Sequence, residues 1–265
     1  MIPENIMVEP IPIFDSLAHP TLTGMWLGHK LDARFSVLAK RLEEANFVGA
    51  CAVGLPKIEG YSHTKFLEAC SMYATLVPIA GLDVLDNPDV EMEQIKQMGF
   101  RGIKVHPRFA GLDPASPALA EIFRAAACHD LVVFYCTYLH SQILSYPESD
   151  PFFSLVRALK NAPQAKVVLV HGGDVQLLRY AELVRFNRNL LLDLSLTMLK
   201  YEGSSLDLDI QYLCRKFDER LCIGTDFPEY THAQLRKRFE HLATDLPMAK
   251  IENIGHKNIM NFLEL

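Results

Sequence analysis

The chain has 265 residues, of which 49% are hydrophobic and 22% are charged, and its formal net charge is −6. These fractions are ordinary for a globular protein and exclude a largely disordered chain. Because non-specific attraction to nucleic acid needs a basic surface, the acidic balance predicts no nucleic-acid partner.

The sequence predicts neither a secretion signal nor a membrane-spanning segment. Residues 1–14 lack the basic flank and apolar core of a signal peptide. No uninterrupted apolar run is long enough to cross a bilayer. The six cysteines include no Cys-x-x-Cys pair, so we expect free thiols, a cytoplasmic location and no membrane partner.

Short apolar, β-branched runs alternate along the chain with longer segments of helical period. Eight runs are predicted to be strands: Ile11–Asp15, Phe47–Val53, Leu76–Leu82, Gly102–His106, Val132–Cys136, Val167–His171, Leu190–Leu194 and Leu221–Thr225. Helices are predicted at Asp32–Ala45, Pro88–Met98, Pro117–Cys128, Asp150–Lys160, Val175–Phe186, Leu206–Phe217, Thr231–Ala243 and Lys257–Leu263. The first two of these helices have candidate N-caps in Asp32 and Asn87.

Repeated strand–helix units imply parallel strands with right-handed crossovers, and eight units close into a barrel. The alternative, an open doubly wound sheet, usually has fewer strands and a glycine-rich first turn. The first strand here instead runs into Ser16-Leu-Ala-His-Pro20. We therefore predict an α/β fold, a (β/α)8 TIM barrel, with residues 1–265 as a single domain.

Polar residues follow or end five of the predicted strands. In chain order these residues are Asp15, His19, Lys104, His106, Cys136, His171 and Asp226. The active site of such a barrel lies at the C-terminal strand ends, and imidazole, thiolate and carboxylate groups are good zinc ligands. We therefore expect His19, His171 and Asp226 to converge on one mouth.

Each of these residues also has a simpler interpretation. A single histidine at a strand end is more often hydrogen-bonded scaffolding than a ligand, and Cys136 alone suits a small buried apolar position. Lys104 is expected to form a salt bridge, with a modified bridging ligand as the less common alternative. Asp15 is a candidate for orienting a neighbouring side chain.

Loops after the strands supply candidate substrate contacts. Arg108 follows His106 directly and is suited to holding a carboxylate or phosphate, with a solvated surface position as the alternative. The other candidates are Trp26, His29, Tyr138, His140, Tyr230 and His232.

Five segments resemble the amidohydrolase-related metal-dependent hydrolases, specifically the amidohydrolase 2 branch, over nearly the whole chain. Residues 13–20 are similar to the opening Asp-x-His-x-His element of the family, and residues 99–107 to its fourth-strand motif. Residues 168–173 resemble its sixth-strand His-Gly-Gly, residues 223–228 its eighth-strand Gly-Thr-Asp-x-Pro, and Asn258 its terminal Gly-x-x-Asn.

The resemblance implies one divalent metal, with zinc as the preferred ion. It implies that His19 is a metal ligand and that Asp226 is a ligand that takes a proton from metal-bound water. His171 would be a ligand or would polarise the substrate carbonyl, and His106 would line the pocket.

Two departures from the family pattern lie at metal positions. Leu17 stands where the opening pair has its first histidine, and Cys136 stands where the fifth strand has one. A set of His19, Cys136 and Asp226, with or without His171, remains chemically reasonable because thiolate binds zinc well. The other outcome is a barrel that binds no metal.

Three functions are compatible with these residues. The preferred hypothesis is a metal-dependent hydrolase that acts on a C–N or C–O bond of a small carbonyl-containing substrate. The alternatives are a metal-free barrel with a binding or rebuilt catalytic role, and a non-oxidative decarboxylase. Because barrels of this type often form dimers, a homodimer is a further expectation.

Overall fold

A computed structural model of the chain describes residues 10–83, 87–138 and 149–265. Eight strands form one parallel sheet in chain order: β1 Ile13–Ala18, β2 Phe47–Val53, β3 Leu76–Gly81, β4 Gly102–Val105, β5 Val132–Cys136, β6 Val167–Val170, β7 Leu190–Asp193 and β8 Leu221–Cys222. Backbone hydrogen bonds from Ser16 to Ile223 (2.9 Å) and from Asp226 to Leu17 (3.0 Å) join the two edges. These bonds close the sheet, so the predicted (β/α)8 barrel is confirmed.

Helices alternate with the strands. They are α1 Phe35–Glu44, α2 His63–Ser71, α3 Pro88–Met98, α4 Pro107–Ala110, α5 Pro117–Cys128, α6 Pro151–Asn161, α7 Leu177–Arg185, α8 Thr197–Lys200, α9 Leu206–Lys216, α10 His232–Ala243, α11 Met248–Glu252 and α12 Asn258–Phe262. None of the described helices has the length and apolar character that crossing a membrane requires.

Helix α2 is absent from the sequence prediction, although its start has a recognisable signal. The Ser62 hydroxyl accepts a hydrogen bond from the Lys65 amide (3.3 Å), and Phe66 and Cys70 are buried one turn apart. This is the Ser cap and i,i+4 apolar spacing of an ordinary short helix.

The start of α1 differs from the prediction. The Asp32 carboxylate accepts hydrogen bonds from the amide and guanidinium of Arg34, and the helix begins only at Phe35. Asp32 therefore stabilises the turn before the helix and does not cap it. The predicted cap Asn87 is observed, with its side chain accepting from the Val90 amide (3.4 Å).

Several predicted strands extend too far at their C-terminal ends. His106, His171, Leu194 and Thr225 were assigned to strands but lie just beyond them. These residues leave the sheet because the chain turns there into the mouth of the barrel. The first strand has the opposite error, since it continues three residues past Asp15.

Two apolar layers hold the barrel together. One lies between strands and helices, and the other fills the barrel interior with residues such as Phe14, Leu17 and Phe134. Ile259 and Leu263 of α12 join the inner layer and so close the barrel at the N-terminal ends of its strands. The opposite, C-terminal end is left for the site.

Candidate active site at the mouth of the barrel

The C-terminal strand ends surround a cavity of about 380 Å³. His19, His171 and Asp226 all line this cavity, although they are far apart along the chain. The structure thus brings together the three side chains on which the sequence interpretation depends.

The backbone is strained at the same mouth. His171, Leu196 and Asp226 line the cavity and have φ angles of 67°, 62° and 54°. Residues other than glycine rarely adopt this left-handed backbone conformation, and such backbone strain concentrates at functional sites. The backbone therefore marks the mouth independently of the sequence motifs.

His19 is fixed by β2. Its Nδ1 lies 2.8 Å from the Val53 carbonyl oxygen and donates to it, which leaves Nε2 facing Asp226 Oδ1 at 3.5 Å. Burial, reinforced by the charge of Lys104, lowers the pKa of His19 well below its usual value. His19 is therefore neutral at pH 7 and presents a lone pair to the cavity.

Asp226 is held at the mouth by the first strand. Its amide donates to the Leu17 carbonyl, and the neighbouring Thr225 donates both its amide (2.9 Å) and its hydroxyl (2.5 Å) to the Asp15 carboxylate. Asp15 thus orients the loop that carries Asp226, in keeping with the supporting role expected for it. Burial raises the pKa of Asp226 to about 7, against the opposing charge of Lys104.

His171 lies in a tight turn after β6. Its Nδ1 donates to the Ser195 carbonyl (3.1 Å), so Nε2 is the nitrogen available to the cavity. The turn continues through Gly173, where φ is 84° and an added Cβ would lie 2.1 Å from a Tyr180 ring carbon. Only glycine fits this position, because both the backbone angle and the space exclude a side chain.

Asp193, at the end of β7, was missed by the sequence interpretation. Its buried carboxylate accepts hydrogen bonds from the hydroxyls of Ser16 (2.5 Å) and Ser195 and from the amide of His171 (3.3 Å). The Ser195 hydroxyl also lies 3.2 Å from His171 Nδ1. Asp193 and Ser195 therefore position His171. The available signal was a carboxylate interrupting the apolar run of the seventh strand.

Cys136 is buried and has His171 as its neighbour. Burial alone would raise the pKa of its thiol, but a hydrogen bond with His171 and the charge of Lys104 lower it to about 7. All six cysteines are free, as predicted, and Cys128 alone among them is exposed.

The predicted substrate contacts Trp26, His106 and Arg108 all line the cavity. The Trp26 indole donates to Glu229 and its ring stacks on His19, with centroids 5.6 Å apart. His106 Nδ1 accepts from the Phe109 amide (3.4 Å), so Nε2 carries the proton in the neutral ring. Burial lowers the pKa of His106 well below its usual value, which favours that neutral form.

The remaining loop candidates do not all reach the cavity, and the exposed His29 is not among its lining residues. Tyr138 and Tyr230 line the cavity, whereas His140 lies outside the described residues. His232 is fully buried 2.9 Å from the Asp15 carboxylate, and it packs edge-on against Phe47. His232 therefore supports the barrel wall and is not a substrate contact.

Lys104 does not form the salt bridge expected from the sequence. Its side chain is 1% exposed, and within the described part of the chain its ammonium has no hydrogen-bond partner. Burial lowers the pKa of Lys104, although Cys136 and Asp226 nearby oppose the shift. An ammonium group thus lines the cavity with no hydrogen-bond acceptor from residues 10–83, 87–138 or 149–265.

A family model described as amidohydrolase matches residues 38–265, most of the chain. The chain belongs to the amidohydrolase 2 branch of the amidohydrolase family. This confirms the resemblance inferred from the strand-end motifs. No curated protein matches the chain.

Solved structures with the same fold include both hydrolases and decarboxylases. An uncharacterized TIM-barrel protein from Bordetella bronchiseptica has 15% identity and a TM-score of 0.77, covering 96% of this chain and 98% of its own. A probable 2-pyrone-4,6-dicarboxylic acid hydrolase from Acinetobacter baumannii, with citric acid bound, has 18% identity and a TM-score of 0.66. The match covers 96% of this chain and 99% of that one. A 5-carboxyvanillate decarboxylase from Novosphingobium aromaticivorans, complexed with manganese and a nitrobenzoic acid, has 12% identity and a TM-score of 0.66. The match covers 97% of this chain and 96% of that one.

The predicted metal site of this amidohydrolase is incomplete in the structure. Within residues 10–83, 87–138 and 149–265, no three His, Cys, Asp or Glu side chains are placed to hold one metal ion. His19 and Asp226 form a suitable pair, but Leu17 packs in the barrel interior and Cys136 has His171 as its partner. A catalytic zinc needs three protein ligands. The described residues therefore do not provide the predicted metal site of His19, Cys136, His171 and Asp226.

Proposed function

We propose that this amidohydrolase-family chain is an enzyme that hydrolyses a C–N or C–O bond of a small carbonyl compound. The observation that carries the proposal is the meeting of Asp226, His19 and His171 at one strained cavity mouth. A cavity of about 380 Å³ suits a small-molecule substrate, the partner expected from the sequence.

In this proposal Asp226 is the general base. It takes a proton from water as the water oxygen forms a bond to the substrate carbonyl carbon, and the carbonyl π electrons move to oxygen. The neutral His19, 3.5 Å away, accepts a hydrogen bond and so holds the water or the protonated Asp226. Asp226 then returns the proton to the leaving oxygen or nitrogen as the C–O or C–N bond breaks.

His171 is proposed to stabilise the oxyanion that forms during the attack. This role needs protons on both ring nitrogens, because Nδ1 donates to the Ser195 carbonyl while Nε2 is the nitrogen that faces the cavity. The buried Asp193 carboxylate accepts from the Ser195 hydroxyl, which lies 3.2 Å from His171 Nδ1, and so helps to hold the ring in this orientation.

Zinc or another divalent ion remains a prediction from the family resemblance, with manganese in one structural neighbour as its support. The pair His19 and Asp226 would supply two ligands. Measuring the metal content of the purified protein tests this prediction directly, since one equivalent per chain would restore the metal-dependent form of the hypothesis.

A decarboxylase using the same cavity is the second candidate. It is favoured by the positive groups of Lys104 and Arg108 in the cavity wall, which suit a carboxylate substrate. Three structural neighbours are named as decarboxylases. Release of carbon dioxide separates this candidate from hydrolysis.

The experiment screens small lactones, aryl esters and anilides for acid release, and hydroxybenzoates for carbon dioxide release. For a substrate that is hydrolysed, we expect Asp226→Asn to lower kcat by about 10²–10⁴-fold because the base is lost while the shape is kept. Asp245→Asn, at an exposed turn, is the matched control and is expected to match the wild type.

Three outcomes would replace the proposal. Turnover by Asp226→Asn equal to the wild type would remove Asp226 from catalysis. Carbon dioxide release without acid release would favour the decarboxylase, and no turnover across the panel would favour a barrel with a binding role.

A further inference from the structure

The orientation of Lys104 follows from the alternation of side chains along β4. Its neighbours Ile103 and Val105 pack in the outer layer between strands and helices. Because successive side chains on a strand point to opposite faces, Lys104 points inward, and it lines the cavity. Its position is therefore fixed by the barrel and not by a flexible loop.

Lys104 lacks the hydrogen-bond acceptors that a buried lysine with a purely structural role normally has among the residues around it, as far as the structure describes them. The ammonium is almost fully buried, and no described residue forms a hydrogen bond with it. Buried charges in proteins are normally paired, because removing an ammonium from water is costly. A group that enters the cavity with a negative charge would supply the missing partner.

The rest of the cavity wall carries charges of both signs. Arg108 and Lys200 also line it, while its acidic residues are Asp226 and Glu229. Glu229 already accepts the Trp26 indole hydrogen. Lys200 Nζ lies 3.8 Å from the Asp174 carboxylate, so the Lys104 ammonium, to which no described residue forms a hydrogen bond, is the group in this wall that favours an anionic ligand.

We propose that the ammonium of Lys104, with the neighbouring Nε2–H of His106, binds a carboxylate of the substrate at the floor of the cavity. The two side chains lie two positions apart, and His106 keeps its Nε2 proton because Nδ1 accepts from the Phe109 amide. Two N–H groups facing one carboxylate give each oxygen a donor. This inference rests on the proposed function and names the substrate class as small carboxylates.

A phosphate fits this site less well than a carboxylate. Phosphate sites use several backbone N–H groups at a helix N-terminus or glycine turn. Two amides of the glycine turn at this mouth already have acceptors, since the His171 amide donates to Asp193 and the Gly173 amide donates to Thr137. Inorganic phosphate is therefore a useful comparison ligand.

The test measures binding without turnover, using benzoate and its neutral isostere benzamide on the full-length protein. Trp26 is the single tryptophan of the chain and lines the cavity, so its fluorescence reports binding at this site, with calorimetry as a second readout. We expect the wild type to bind benzoate at least tenfold more tightly than benzamide and than inorganic phosphate.

The decisive variant is Lys104→Met, which removes the charge and keeps a similar length. We expect it to abolish the preference for benzoate over benzamide and to have a melting temperature equal to or above that of the wild type. Lys40→Met, at an exposed position of α1, is the matched control and should retain the preference.

Each other result overturns the inference. Equal binding of benzoate and benzamide to the wild type would show that the cavity has no carboxylate site. An unchanged preference for benzoate in Lys104→Met would show that Lys104 does not bind the carboxylate. Tighter binding of phosphate would assign a different ligand class. A Lys104→Met variant that melts well below the wild type, or does not fold, would assign the ammonium a structural role.

The inference and the proposed function can fail separately. Asp226→Asn should keep the benzoate preference, because binding needs no base. If the benzoate preference is present but Asp226→Asn turns substrate over like the wild type, the carboxylate site is supported and the hydrolytic role of Asp226 is wrong.

Discussion

Asn258 at the base of the barrel and Lys104 at its mouth differ in their hydrogen bonding. At the base, the Asn258 amide donates to the Asp218 and Leu221 carbonyls (2.6 and 2.8 Å). At the mouth, the Lys104 ammonium has no hydrogen-bond partner within the described residues, and Asp226 lies at a strained φ of 54°.

This contrast separates the residues that stabilise the barrel from those that serve its chemistry. Apolar packing by Ile259 and paired polar groups at the base lower the free energy of the folded state. At the mouth, the left-handed φ of Asp226 and the Lys104 ammonium, which has no hydrogen-bond partner among the described residues, raise that free energy, as expected where a ligand completes the site. Asn258 therefore resembles a family signature for structural reasons, since it lies at the end opposite the cavity.

The largest expected effect is at the base. Ile259→Ala removes a fully buried side chain from the inner layer, so we expect the free energy of unfolding to fall by about 2–5 kcal/mol. Urea denaturation measures the change, and benzoate affinity of the folded variant should be unaltered. Leu265→Ala, at an exposed site, should change stability by no more than about 0.5 kcal/mol. Equal losses in the two variants would contradict packing of α12 into the barrel.

An intermediate effect is expected at Leu17, where the chain departs from the family pattern. Leu17→His places a polar ring in the apolar barrel interior, so stability should fall by about 1–3 kcal/mol. Urea denaturation with and without added zinc measures the free energy of unfolding, and elemental analysis measures the bound zinc. A variant that binds one zinc and becomes more stable than the wild type would show that position 17 belongs to the mouth.

The smallest expected effect concerns the support of His171. Ser195→Ala removes the hydroxyl between His171 and Asp193, and we expect stability to fall by about 1 kcal/mol and kcat by about tenfold. The rate is measured with a substrate from the turnover screen. Ser71→Ala, which removes an exposed helical hydroxyl, is the control. A rate equal to the wild type would show that Ser195 does not position His171.

The barrel itself was predictable because its signals are local. Apolar runs of strand length alternate with helical periods, and all eight strands appear where those runs lie. Their ends were less predictable. His106 leaves the sheet as the cap of α4, which is a local signal, whereas His171 contacts the distant Ser195 carbonyl. Helix α2 was missed although its Ser62 cap is local.

The candidate site was predictable in part. His19, His171 and Asp226 could be chosen because each follows an apolar run in a parallel barrel, where strand ends meet. Asp193 was missed because a carboxylate within an apolar run gives no indication of its partners. The salt bridge expected for Lys104 was wrong, because sequence does not show which charges lie within reach.

The sequence by itself determined the (β/α)8 fold and the side chains at its mouth, since periodicity and strand-end position are properties of neighbouring residues. Only the tertiary structure decided what those side chains contact. It paired His19 with Asp226, linked His171 to Asp193 through Ser195, and placed Lys104 where no described residue forms a hydrogen bond with its ammonium. The reason is physical. Burial and hydrogen bonding, which set charge and orientation at the site, depend on groups brought together from distant parts of the chain.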